Sequence, residues 1–369
     1  MQKGKKWIRC FLAALVLVPP AFGGAPPGEK GGEEETGPYT VVAGWPQPLP
    51  GHEGWTWGST GGIFAERADR VFILQRGELP VPKDLAPGSP VIYGAPGRPA
   101  TEGTPRMEHF LLIANAEGKI TDTWPQHDSL FLGGRGPHKI KISPYDPEKR
   151  IWIVDDNLHQ VFQFSNDGRK LLLTLGEKGV AGNDERHFGR PTDIAWLPDG
   201  TFFISDGYVN ARVVKFDASG KFLMSWGRPG TGPGEFNLVH AVDTDAQRRI
   251  YVADRSNSRI QVFDENGKYL DQWPDIRMPM DLLITARQEV WVLDGATSKV
   301  LKYDLGGRLL SSWGTYGQFP GGLWGGHQMS VDPDGNLYIS EVFNGRAQKF
   351  RPRPGIDASR FVGQPPRQK

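Results

Sequence analysis

The 369 residues carry 43 Lys and Arg against 42 Asp and Glu, a formal charge of +1, with 48 Gly, 31 Pro and one Cys. A chain so near neutrality makes no electrostatic case for nucleic acid or an anionic membrane as partner. The Gly and Pro content suits a turn-rich all-β chain, and no segment shows sustained helical periodicity.

In chain order, Lys3, Lys5, Lys6 and Arg9 precede an apolar run, Phe11 to Val18, and then Ala21-Phe22-Gly23. This pattern predicts a signal peptide over residues 1–24 and hence a secreted or periplasmic protein. The run is too short to cross a bilayer, so no membrane span is expected. Cys10 is the single cysteine and would leave with the signal, so the mature protein must rely on its core rather than on disulfides. Losing four basic residues and no acids takes the charge from +1 to −3. Residues 25–38, APPGEKGGEEETGP, have the composition of a disordered linker.

From residue 137 to 352 one pattern recurs five times. An inner run (PHKIKI, PTDIAW, VHAVDT, PMDLLI, GHQMSV) is followed by a second (RIWIVD, TFFISD, RIYVAD, EVWVLD, NLYISE) and a third (HQVFQF, ARVVKF, SRIQVF, SKVLKY, RAQKF). A fourth ends in Trp or Leu before Gly or Pro, as in FLMSWG. Short alternating runs separated by Asn, Asp and Gly read as strands joined by hairpins. Four strands every 40 to 54 residues mark propeller blades. A degenerate sixth unit, Gly61 to Trp124, precedes the five. It is interrupted by a Pro/Gly-rich insertion over residues 80–106, either a loop over one mouth of the channel or a flexible excursion. The last unit lacks one strand, which Tyr39 to Trp45 can supply. The expectation is one all-β, six-bladed β-propeller over residues 39–352, closed by an N-terminal strand, with a flexible tail at 353–369.

The second residue of each inner run is His138, Thr192, His240, Met280 and His327 in turn. First strands line a propeller's channel, so three histidines from alternate blades converge on the axis from three sides. Three imidazoles bind zinc at about 2.0–2.1 Å and leave a fourth position open, the pattern of catalytic sites, although imidazole also suits iron and copper. His52, His109, His127, His159 and His187 fall outside this register and read as surface or supporting groups.

Residues just after each second strand share the histidines' end of the channel: Arg76, Asp156, Gly207, Arg255, Gly295 and Val342. Two arginines there can grip a carboxylate. The competing role is pairing with a blade acid, expected more for Arg255, next to Asp254, than for Arg76. From the acid ending the second strand to the last aromatic of the third is nine residues in four blades but ten in blade three, Asp206 to Phe216. The extra residue near Gly207 can turn Tyr208 toward the channel mouth, where a metal and arginines would make it a general base. Asp206 with Arg212 and Asp254 with Arg259 read as structural braces. The Gly-rich Gly227 to Phe236 has no helix after it and is no phosphate loop.

The blade pattern, D-x-x-N-x-R-I/V-x-x-F followed by G-x-G-P-G-x-F, resembles NHL repeats. More narrowly, DNLHQVF, HFGRPTDIAW, SDGYVNARVVKF, SGKFLMSWG, ADRSNSRIQVF and GGHQMSV resemble the peptidyl-α-hydroxyglycine α-amidating lyase family. The resemblance implies zinc at His138, His240 and His327, a catalytic Tyr208, and active-site arginines Arg76 and Arg255. The chain departs from the family at Gly325, where a methionine is usual, and at Gln328, where an acid helps hold a structural calcium ion. Val209 and Val262 replace two disulfide cysteines. The implied function is an exported zinc lyase that cleaves the C–N bond of a carbinolamide, such as a peptide with a C-terminal α-hydroxyglycine, to an amide and glyoxylate. The alternative is a non-catalytic NHL propeller that scaffolds a protein or peptide. The sequence leaves the oligomeric state open.

Overall fold

The computed structural model describes residues 33–49, 51, 52, 55, 57–78 and 107–366. Six four-stranded antiparallel sheets form the six blades of a propeller. Blade one comprises Thr60–Arg67, Arg70–Gln75, Leu111–Ala114 and Ile120–Thr123. The inner strands of blades two to six are Lys139–Ile142, Pro191–Trp196, Val239–Thr244, Pro279–Ile284 and Gly326–Val331. Blade six takes its outer strand from Tyr39–Val41, which pairs antiparallel with Arg346–Pro352, the closure that the missing strand predicts. The signal at 1–24, residues 25–32 of the linker and the 80–106 insertion lie outside the described residues, and Glu33–Thr36 forms a single helical turn ahead of the closing strand.

The apolar core divides into six clusters, one at each junction between consecutive blades. Each strand presents one face to the blade before it and the other to the blade after. This explains why the second strands, such as Ile151–Asp155 and Ile250–Asp254, are buried along their whole length.

A second contact locks each junction. A Trp or Leu at or near the end of a fourth strand covers a hairpin glycine of the next blade: Trp124 over Gly168, Leu173 and Leu175 over Gly220, Trp226 over Gly267 and Trp273 over Gly307. The last two locks use the N-terminal segment, with Trp313 over Gly37 and Trp45 over Gly118. At Gly307 the backbone has φ +81°, and a Cβ there would lie 2.4 Å from the Trp273 ring. Only glycine satisfies both conditions.

Residues from 353, which composition assigns to a flexible tail, are packed against the ring as far as Pro366. Val362 is buried, its N–H donates to the Tyr39 hydroxyl (2.8 Å), and Arg353 donates to the carbonyls of Tyr39 and Gly37. Apolar Phe361 and Val362 supply the burial that the polar composition conceals. The Gly-rich Gly227 to Phe236 turns its carbonyls onto Arg259, which donates to Thr231, Gly232 and Glu235. Carbonyls so aimed repel a phosphate, and Arg259 is the brace that the sequence predicts, 2.8 Å from Asp254.

Gly307→Ala should cost about 1–3 kcal/mol, through overpacking plus an unfavourable φ. Gly355→Ala, at φ +78° with nothing within 4 Å, carries the backbone term alone. Thermal melts of the two variants should show the larger fall for Gly307→Ala.

Candidate metal centre

The pairing register slips by one residue near the start of five of the six inner strands, skipping Gly61, Thr192, His240, Met280 and His327. A bulged residue leaves the in–out alternation of its strand. In this ring it faces the axis. His138, just ahead of Lys139–Ile142, takes the same place in blade two, with its N–H on Val154 O (2.7 Å). The three histidines are buried, and one ring nitrogen from each lies within 4.8 Å of the others.

Their tautomers follow from their partners. His138 Nδ1 lies 2.7 Å from Thr192 O, His240 Nδ1 2.8 Å from Met280 O, and His327 Nδ1 2.5 Å from Gly61 O. A carbonyl only accepts, so every Nδ1 carries the proton and donates it to the bulged residue of the next blade. The three Nε2 lone pairs are left facing one another. Tyr208 Oη lies 3.1 Å from His138 Nε2 and 3.0 Å from His240 Nε2. Its one proton can satisfy only one of them, and no other hydrogen-bond donor meets these nitrogens among the described residues. Lone pairs crowded in a buried site favour a cation, and this donor set fits a metal that takes nitrogen ligands.

Burial, and then nearby charge, holds all three imidazoles well below the ordinary histidine value: His327 and His240 act on His138, Arg255 and His327 on His240, and Lys139 and Arg76 on His327. The rings are therefore neutral near pH 7, the form a metal requires.

Tyr208 reaches the axis because of the extra residue. Its N–H donates to Arg190 O, just as the N–H of Arg255 donates to Leu238 O and that of Gly295 to Met278 O. The residue at the arginine register is thus Tyr208 rather than Gly207, and Gly207 is the insertion. A Cβ on Gly207 would lie 1.8 Å from Val239 O, so only glycine lets the chain pass the next inner strand there.

The two arginines reverse the expected order. Arg76 pairs with the buried Asp156 and donates from Nε to Pro137 O (3.0 Å). Arg255 has no carboxylate partner among the described residues, because Asp254 is taken by Arg259, Asn257 and the Asn237 N–H. Its guanidinium lies 5.4 Å from the Tyr208 ring centroid and 3.7 Å from Met280 Sδ. The structure thus gathers all six predicted residues and adds Arg190, which pairs with Asp156 and lies 4.6 Å from the Tyr208 centroid. The remaining histidines lie elsewhere: His52 beside Glu78, His109 beside Asp128, His127 on Gly168 O, and His187 beside Asp184. His159 accepts from the Arg190 N–H. A cavity of about 370 Å³ opens among the far ends of the inner strands, with Ile142, Thr244 and Ile284 in its wall, at the opposite mouth from the histidines.

The residues do not fit calcium. Gln328 Oε1 accepts from Ile63 N (3.1 Å) and Ile140 N (3.3 Å), while its Nε2 donates to Ile140 O (2.7 Å). In the same layer the buried Lys139 ammonium bonds Asp281 and His327 O. The chain places its own donors and its own positive charge where a divalent ion would sit.

A family model for the NHL repeat matches residues 236–263. The chain is 30% identical over 251 residues to the "probable peptidyl-alpha-hydroxyglycine alpha-amidating lyase" of Caenorhabditis elegans, a match covering 65% of this chain and 69% of that one. The chain belongs to the peptidyl-α-hydroxyglycine α-amidating lyase family. It is also 38% identical over 143 residues to peptidyl-glycine α-amidating monooxygenase A of Xenopus laevis, a match covering 37% of this chain but only 15% of that protein. Mouse NHL repeat-containing protein 3 is 36% identical over 148 residues, 37% of this chain and 42% of its own. Among solved structures, a streptogramin B lyase superposes with a TM-score of 0.54 at 10% identity, over 85% of this chain and 98% of that one. A Xanthomonas campestris gluconolactonase gives 0.54 at 12%, over 86% and 91%. At those identities the likeness is one of fold.

Two outcomes follow from this geometry. The lowered histidine values mean that the unfolded chain binds protons, from about pH 6.5 downward, that the folded chain refuses. Stability is therefore full above about 6.5 and drains away as pH falls toward the folded values. Melts of metal-free protein should show Tm falling between pH 7.5 and 5.5, with a shallower slope in His240→Asn. Excess calcium should leave the Tm unchanged.

Proposed function

We propose that this lyase-family propeller is an exported zinc enzyme that cleaves a carbinolamide, R–CO–NH–CH(OH)–COO⁻, to a primary amide and glyoxylate. The single observation that carries the proposal is the proton count at the axis: three Nε2 lone pairs and a phenol oxygen share one proton. Zinc held by His138, His240 and His327 would supply a Lewis acid for the substrate hydroxyl. With a cation at the axis the shared proton would leave to solvent, and Tyr208, as the phenolate, would accept the hydroxyl proton. As the C–O bond becomes a carbonyl, the C–N bond breaks, its electron pair moves to nitrogen, and the proton taken up by Tyr208 passes to that nitrogen to complete the amide.

Arg255, which has no carboxylate partner among the described residues, and Arg76 take the substrate carboxylate. Among the described residues, Arg76, Arg190 and Arg255 outnumber the carboxylates that act on them, Asp156 and its neighbour Asp155, so the site carries surplus positive charge suited to an anionic substrate. A scaffold that binds partners on its rim needs neither this charge nor a buried triad. Export is part of the proposal and is supported by residues 1–24 alone.

The test is to incubate metal-loaded protein with an α-hydroxyglycine peptide and assay glyoxylate. Tyr208→Phe should lower kcat by about 10²- to 10⁴-fold, the usual worth of a general base. His240→Ala should abolish stoichiometric zinc in elemental analysis. Glyoxylate release that survives both chelation and Tyr208→Phe would refute the mechanism, and protein that binds no metal would favour the scaffold.

A further inference from the structure

The residue two places ahead of the axial one has a left-handed backbone in four blades: Gly136 (φ 84°), Arg190 (φ 66°), Leu238 (φ 72°) and Gly325 (φ 65°). That conformation is costly for any residue with a Cβ, and blades two and six avoid the cost with glycine. Blade three keeps an arginine. The Arg190 N–H is spent on His159 Nδ1 (3.0 Å), and its carbonyl accepts the Tyr208 N–H (3.2 Å). Its side chain then returns over the same tyrosine, with the guanidinium carbon 4.6 Å from the ring centroid. Arg190 therefore grips Tyr208 at both backbone and ring. Its buried Nε has no hydrogen-bond partner among the described residues, as expected of a guanidinium committed to the face of an aromatic ring.

The far end of the guanidinium is anchored. Asp156 is buried and offers one oxygen to Arg190 and the other to Arg76. Burial pushes its carboxyl upward, but Arg76 and Arg190 outweigh this and hold it below the usual carboxylate range. One ionised carboxylate thus sets the spacing between two guanidiniums, one stacked on the tyrosine and the other facing the site.

We propose that Arg190, clamped by Asp156, is a positioning residue: it holds the Tyr208 ring so that the phenol oxygen meets His138 and His240, and it couples that placement to Arg76. The catalytic consequence rests on the lyase reading above; the placement itself does not.

The experiment compares wild type, Arg190→Gly and Arg190→Lys as full-length, metal-loaded protein. Arg190→Gly keeps the backbone that Gly136 and Gly325 adopt, so its Tm should stay within a few degrees of wild type. Its kcat should fall by about tenfold or more, with KM changed less than about threefold, because a misplaced group costs rate rather than binding. Arg190→Lys should recover part of the loss. Independently of activity, the Tyr208 ring-carbon NMR signal in tyrosine-labelled protein, assigned by its absence from Tyr208→Phe, should shift or broaden in Arg190→Gly, with or without metal. An unmoved signal, an unchanged kcat, or a loss confined to KM would overturn the proposal. If wild type releases no glyoxylate, the lyase reading fails and the NMR signal alone decides whether Arg190 places the ring. If Arg190→Gly fails to fold, Arg190→Lys carries the same readouts: a wild-type kcat and signal refute the proposal, and partial loss of both supports it.

Discussion

One residue per blade, pushed out of its strand's alternation by a bulge, holds the centre of this molecule together. Around the axis five of the six blades pass a hydrogen bond to the next: His138 to Thr192 O, the Thr192 hydroxyl to Val239 O (2.9 Å), His240 to Met280 O, His327 to Gly61 O, and Arg76 to Pro137 O. Between blades five and six the link is Asp281, which accepts from Met329 N (2.8 Å). The ring satisfies backbone groups that would otherwise face a water-poor channel. In doing so it consumes the Nδ1 proton of every axial histidine. Structural closure and ligand preparation are therefore the same set of bonds.

Beneath that circuit the chain carries its own electrostatics. Lys139 and Lys141 are tied to Asp281 and Asp193, so the middle of the channel is braced by internal ion pairs. Above it, arginines outnumber acids among the described residues, and the imidazoles between the two layers stay neutral. The polarity changes along the axis: compensated charge in the interior, surplus positive charge at the histidine mouth. An anion approaching that mouth meets an attractive field before it meets the histidines.

The blades, their count, the closing strand, the three histidines and the displaced tyrosine were legible because each is a matter of register, and register can be counted in the letters. What escaped depends on side chains that cross between blades. Arg190 sits before an inner strand, a place that reads as a turn. Only a comparison of Gly136, Arg190, Leu238 and Gly325 as one set marks it as unusual. The roles of Arg76 and Arg255 came out reversed for a similar reason. Adjacency to Asp254 suggested a pair, but that carboxylate faces Arg259 on the third strand, whereas Asp156 lies one blade away from Arg76 and 80 residues along the chain. The packed segment up to Pro366 escaped because two apolar residues amid polar ones leave no periodic trace.

Drawing the axial imidazoles from every second blade ties their number to the parity of the ring. Six blades divide into two interleaved sets of three, one bearing imidazoles and the other the carbonyls that receive their protons. A seventh unit inserted anywhere would put two members of one set side by side and break the even spacing of the three imidazoles around the axis. Duplication of a single repeat, the ordinary way in which such arrays grow, is therefore closed to this chain for as long as the threefold centre is kept.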